Sequence, residues 1–135
     1  MRLIADYLFG IVTVFQESEG EPYEGKVCVA EVIQRRMKRK FMSDGTVVGT
    51  CLRRLQFSGW NDNSLNRIRS LKIDSSDPVV DECVRAWEEA QRGSNLVPDC
   101  LHYLNTKLAD PPWARGAKVV RIVGNHTFII PKEAT

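Results

Sequence analysis

The feature that most constrains this chain is a helix pattern broken once and resumed. Leu3, Ile4, Tyr7, Leu8, Ile11, Val12 and Phe15 recur at three- and four-residue spacing, the period of a helix with one buried stripe. Val27, Ala30, Ile33 and Met37 repeat that period, and Val29 and Val32 widen the stripe. Between the two segments stands Gly20-Glu21-Pro22. Glycine favours a helix end, and proline removes a donor and pushes the residue before it out of helical dihedrals. Two helices must therefore meet at a tight corner. The breadth of the second stripe predicts a helix buried on most of its sides.

The corner is acidic: Glu17, Glu19, Glu21 and Glu24 fall within eight residues. The spacing puts Glu17 in the last turn of the first helix. There the helix's partial negative charge, apolar neighbours such as Phe15 and the like charges of Glu19, Glu21 and Glu24 all disfavour an ionised carboxyl. A carboxyl that keeps its proton near neutral pH is suited to general-acid chemistry. Thr13 and Gly10 lie one and two turns back along the same edge. Both are small, which predicts an open channel toward the carboxyl. Taken on pattern alone, a solvated acidic turn accounts for the same residues.

Further along, Asp77-Pro78 is a helix start, an N-cap aspartate with proline at the first position. Val80, Cys83, Val84, Trp87 and Ala90 form that helix's inward face, and Gly93 ends it. "KVVRIV", Gly124-Asn125 and "HTFII" predict a β-hairpin. Residues 43–64 read as a loop with a short helical or extended piece, and residues 64–73 carry no firm pattern. The sum is an α+β fold in one domain over residues 1–135, helices first and a small C-terminal antiparallel β element last.

A net charge of +2 is too small to make nucleic acid the expected partner. Arg35, Arg36, Lys38, Arg39 and Lys40 read as a solvated helix terminus, where cations suit the dipole. Cys28, Cys51, Cys83 and Cys100 form no C-x-x-C pair and sit among apolar residues. They read as buried thiols in a chain folded in a reducing compartment, although their even number leaves disulfides open. With only two histidines, neither a metal nor a cofactor is expected. The apolar N-terminal segment is too short to span a bilayer, so no stable membrane insertion is expected.

"ESEGEPYEGKVCVAEVIQRRM" resembles the opening signature of the SleB/CwlJ-type cell wall hydrolases, the spore-cortex-lytic family. That signature is a glutamate, a spacer, Gly-Glu-Pro-x-x-Gly and an apolar helix closed by arginine. Other blocks follow in order: "QFSGW" from Gln56, "HYLN" from His102, "PPW" from Pro111 and "GNHTF" from Gly124. The chain departs from the family with Arg35 in place of asparagine, Cys28 and Cys100 in place of alanine, and Leu104 in place of a polar residue.

The resemblance implies a lysozyme-like α+β domain that cuts peptidoglycan glycan strands between N-acetylmuramic acid and N-acetylglucosamine. It implies a lytic transglycosylase that needs no cofactor. The family's catalytic glutamate maps to Glu17, and Glu21 is the other matching acid. Candidate sugar-binding residues are Tyr23, Gln56, Ser58, Trp60, Tyr103, Asn105 and Trp113, with Tyr103 a phenol able to hold Glu17 or an N-acetyl carbonyl. His102 and His126 are expected to be structural, His126 through a hydrogen bond at the start of the last strand. A muramidase using Glu21 as second acid and a non-catalytic glycan-binding module are the alternatives. The expected partner is the glycan strand, met by a monomer. With no recognisable signal peptide, the expectation is synthesis in the cytoplasm and action on the wall after holin-dependent release, as for a phage lysin.

Overall fold

The break at Gly20–Pro22 separates helix α1 (Ile4–Ser18) from helix α2 (Tyr23–Arg39). These and all later coordinates come from a computed structural model, which describes residues 3–53, 56–62 and 64–132. The Glu21 N–H closes the corner by donating to the Ser18 carbonyl at 3.0 Å. Lys26, only 1% exposed, donates through Nζ to the Glu21 carbonyl and pairs with Glu82 at 3.3 Å. A buried ammonium is tolerated only when paired and hydrogen-bonded. Here it ties the corner to the helix that carries Glu82.

As the wide stripe predicts, α2 is the central helix, buried without interruption from Gly25 to Gln34. Helix α3 (Val47–Cys51) and helix α4 (Leu65–Ser70) are short, each started by a side-chain cap, Thr46 onto the Gly49 N–H and Ser64 onto the Arg67 N–H. Helix α5 (Pro78–Gln91) begins where Asp77-Pro78 predicts, with the Asp77 carboxyl accepting from the Val79 N–H at 2.8 Å. It buries Val80, Cys83, Ala86, Trp87 and Ala90 and packs along α2.

Three strands complete the fold: β1 (His102–Leu104), β2 (Lys118–Val123) and β3 (His126–Ile130). They form an antiparallel sheet in the order β1-β3-β2. The expected hairpin is β2–β3. The additional strand β1 pairs with the other edge of β3 and sets Tyr103 opposite Phe128. Three residues are too few to show a two-residue period.

Two expectations about α1 are corrected. Its apolar stripe enters the core only from Ile11 onward. Ile4 is 84% exposed and Leu8 56%, so the first two turns keep their stripe in solvent. Nor is there a channel beside Gly10 and Thr13. The Trp87 ring fills the space over Gly10, where any Cβ would run into it. The Thr13 hydroxyl accepts the Trp60 indole N–H at 2.8 Å. The small residues make room for two indoles that arrive from distant parts of the chain.

All four cysteines are buried and free. Burial pushes Cys28, Cys51 and Cys83 up to about 12 and Cys100 to about 11. They pack as small hydrophobes. No helix among the described residues is long and apolar enough to cross a membrane.

Candidate active site

An open groove of about 490 Å³ runs along the corner. One wall is the end of α1 and the turn after it, from Gln16 to Glu21. Opposite stand Tyr103, Asn105 and Leu108 with Asn125 of the β2–β3 turn and His126 at the start of β3, and Ser58 completes the lining. The helix end is polar and carries the acids. The sheet supplies a phenol, two amides and an imidazole.

Glu17 sits in the last turn of α1 and accepts a hydrogen bond from the Tyr103 hydroxyl on Oε1. Burial raises its pKa, against the opposing pull of that hydrogen bond and of the Arg36 charge. Desolvation of a carboxyl in a low-dielectric setting outweighs the partial compensation. Burial and the neighbouring Glu17 also hold the Tyr103 phenol well above its ordinary range. The hydroxyl therefore keeps its proton and donates.

The raised value arises by a different route from the one the acidic corner suggests. The like charges are dispersed onto separate partners. Glu19 forms a two-point ion pair with Arg69, and Glu24 pairs with Arg121. Glu21 turns toward the β2–β3 turn, where its carboxyl accepts from the Asn125 N–H at 3.1 Å. Burial, not crowding, sets Glu17.

Arg36 does not lie where the basic run suggests. It is 7% exposed and not part of a solvated terminus. Its guanidinium donates to the Leu101 carbonyl at 2.8 Å and to Gln56 Oε1 at 3.2 Å, and it lies over the rings of Phe41 and Phe57. Arg35 is also turned inward, donating to the Val97 and Cys100 carbonyls. Only Lys38, Arg39 and Lys40 of the run are exposed. The sign was present in the spacing: Arg36 follows Val29 by seven, Val32 by four and Ile33 by three residues, which puts it on the buried stripe.

The sequence-predicted sugar contacts divide. Tyr103, Asn105 and Ser58 line the groove with Glu17 and Glu21. Gln56 is not among the lining residues and serves as an acceptor for Arg36. Trp60 is half-buried, its ring 5.0 Å from Phe9 and its N–H held by Thr13. Tyr23 points to α5, where its hydroxyl donates to Glu89 at 2.9 Å and Arg85 covers its ring. Trp113 is 51% exposed and packs on His102, outside the groove lining.

His126 departs from its expected structural hydrogen bond. Its Nδ1 is buried without a hydrogen-bond partner among the described residues, 3.8 Å from Glu21 Oε1. Burial lowers its pKa, with Glu21 opposing. The ring packs 4.9 Å from that of Tyr103. Among the described residues no group of three His, Cys, Asp or Glu side chains is placed to hold a metal ion.

The sequence profile of a family described as Cell Wall Hydrolase matches residues 20–129, beginning just beyond Glu17. The chain is 27% identical over 128 residues to a spore cortex-lytic enzyme of Bacillus subtilis (strain 168), covering 95% of this chain and 36% of that protein. It is 28% identical over 115 residues to a spore cortex-lytic enzyme of Oceanobacillus iheyensis, covering 85% and 38%. It thus spans little more than a third of the length of these relatives. Among solved structures, the catalytic domain of the germination-specific lytic transglycosylase SleB from Bacillus anthracis superposes with a TM-score of 0.74 at 24% identity, covering 95% of this chain and 96% of that one. The catalytic domain of the Bacillus cereus SleB protein gives 0.77 at 23% identity, covering 96% and 93%. At these identities the likeness to the two structures establishes a common fold.

Proposed function

The chain belongs to the cell wall hydrolase family, and from that membership and the setting of Glu17 we propose that it is a lytic transglycosylase. In this reading it cleaves peptidoglycan glycan strands between N-acetylmuramic acid and N-acetylglucosamine. The observation that carries the reading is the half-buried carboxyl of Glu17, raised in pKa and held by a phenol, at the side of an open groove. The other two acids of the groove lining are committed elsewhere, Glu19 to Arg69 and Glu21 to the Asn125 N–H.

One carboxyl is sufficient for this chemistry. Protonated Glu17 gives its proton to the glycosidic oxygen as the bond to the muramic C1 breaks. Positive charge develops at C1, and the C6 hydroxyl of the same sugar attacks it. The proton of that hydroxyl passes to the Glu17 carboxylate, which restores the acid. The products are a 1,6-anhydromuramic end and a free N-acetylglucosamine hydroxyl. Tyr103 and Arg36 stabilise the ionised Glu17 in between, since both lower its pKa. Without them a carboxyl so buried would hold its proton too tightly to give it up.

Mass spectrometry of the soluble fragments released from purified peptidoglycan tests the reading. Anhydromuramic ends from the wild type and no release by Glu17→Gln are expected. Reducing muramic ends would make the protein a muramidase. No release by the wild type from several wall types would favour a glycan-binding module.

A further inference from the structure

Glu21, the third glutamate of the corner, matches the family signature and lines the groove, yet its carboxyl is engaged by backbone. Both oxygens receive the Asn125 N–H, at 3.1 and 3.3 Å, and the side chain is only 8% exposed. The turn is shaped to admit it. Gly124 has φ +56°, and a Cβ at that position would run into the Glu21 carboxyl. The backbone of Glu21 is fixed as well, its N–H on the Ser18 carbonyl and its carbonyl on the Lys26 ammonium.

We propose that Glu21 is a positioning residue that holds the β2–β3 turn on the α1–α2 corner and so sets the Tyr103 hydroxyl on Glu17. The turn leads directly to His126, whose ring lies 4.9 Å from that of Tyr103. Phe128, on the same strand as His126 and paired with Tyr103 across the sheet, lies 5.3 Å from the Tyr103 ring. Tyr103 then donates to Glu17. Release of the turn frees the ring wall against which the phenol is packed. The charged and titratable groups involved are Tyr103 and Arg36 around Glu17, and His126 and Lys26 around Glu21.

The inference rests on Glu17 being the acid-base, but its first test does not require cleavage. The Glu17 carboxyl is titrated by carbon-13 NMR in the wild type, Glu21→Gln, Glu21→Ala and Tyr103→Phe. Both Glu21 substitutions remove the same charge, so the difference between them isolates the contact. The amide oxygen of glutamine still accepts the Asn125 N–H, whereas alanine accepts nothing. Glu17 is expected to titrate higher in Glu21→Ala than in Glu21→Gln, part of the way toward Tyr103→Phe. Identical titrations in the two folded Glu21 variants would overturn the proposal.

If Glu21→Ala fails to fold, a glycine pair asks the same question. Gly124→Ala displaces the carboxyl. Gly116→Ala sits at a similar φ of +74° with its nearest neighbour, Lys132 Cδ, at a comfortable 3.6 Å. A higher Glu17 titration in Gly124→Ala than in Gly116→Ala is expected, and equal values would overturn the proposal. Cleavage supplies the last arm: Glu21→Gln is expected to release anhydromuramic ends where Glu17→Gln releases none. A loss as complete as that of Glu17→Gln, beside an active wild type, would make Glu21 a reacting acid. A wild type that cleaves nothing would sink the functional reading and leave the titrations to decide this one.

Discussion

Glu17 and Glu31 face inward from neighbouring helices, and they are solvated by protein in opposite ways. Glu31 on α2 is 3% exposed and saturated. It accepts from the Ser94 hydroxyl at 2.6 Å, the Leu96 N–H at 3.0 Å and the Val97 N–H at 3.1 Å, with Arg35 at 3.9 Å. Glu17 on α1 accepts one hydrogen bond among the described residues, from a phenol, and faces a groove. A carboxylate whose lone pairs are filled by fixed donors anchors the loop that supplies them. A carboxyl left short of donors holds its proton and can exchange it. The difference is one of setting: Glu31 is suited to anchor a loop, Glu17 to exchange a proton.

The comparison can be broken most readily at Glu17. Glu17→Gln is expected to lower cleavage by about 1000-fold or more, while Glu31→Gln keeps it per folded molecule; release of soluble wall fragments measures both. Stability should reverse the ranking. Glu31→Ala strands three donors and is expected to cost about 3 kcal/mol in urea unfolding. Equal stability of Glu31→Ala and wild type would remove Glu31 from the comparison.

Tyr103→Phe sharpens it. The Tyr103 hydrogen bond lowers the Glu17 pKa, so its loss raises that pKa. The alkaline limb of the pH–rate profile, where Glu17 loses its proton, should move to higher pH and the maximal rate should fall about tenfold. A profile left in place would show that the phenol does not act on Glu17.

A smaller effect lies in the stability of the wild type. Burial raises Glu17 above its ordinary value of 4.5, so the folded chain binds that proton more tightly than the unfolded chain. The stabilisation is present at low pH and is lost as pH rises from 4.5 through the raised value. Glu17→Gln has no proton to lose. Its Tm should therefore gain on the wild type across that window, and parallel Tm curves would contradict the burial argument. The smallest effect is expected at the start of α1, where Leu8→Lys should change stability by less than about 0.5 kcal/mol.

The sequence made the corner, the central helix, α5 and the β2–β3 hairpin legible, because each has a local signal: a breaker, a wide stripe, a cap with proline, a Gly-Asn turn. It concealed β1, whose three residues show no period. It also concealed which half of α1 is buried, since Leu8 and Ile11 look alike until α1 meets its neighbours. At the site, Glu17 and Tyr103 were both nominated, and the structure joins them across 86 positions of sequence. Arg36 was hidden inside a basic run although its spacing placed it on the buried stripe. The period of α5 turns Trp87 inward, but nothing local shows that it meets Gly10 or that Trp60 meets Thr13. Contacts made by residues distant in sequence leave no period to read.

The most direct measurement is cleavage of purified peptidoglycan in water enriched in oxygen-18, followed by mass spectrometry of the new muramic ends. If Glu17 alone carries both proton transfers and the C6 hydroxyl is the nucleophile, the ends are anhydro and unlabelled. One labelled oxygen at each new muramic end would mean that water attacks C1, that a second group activates it, and that the single-acid account is wrong.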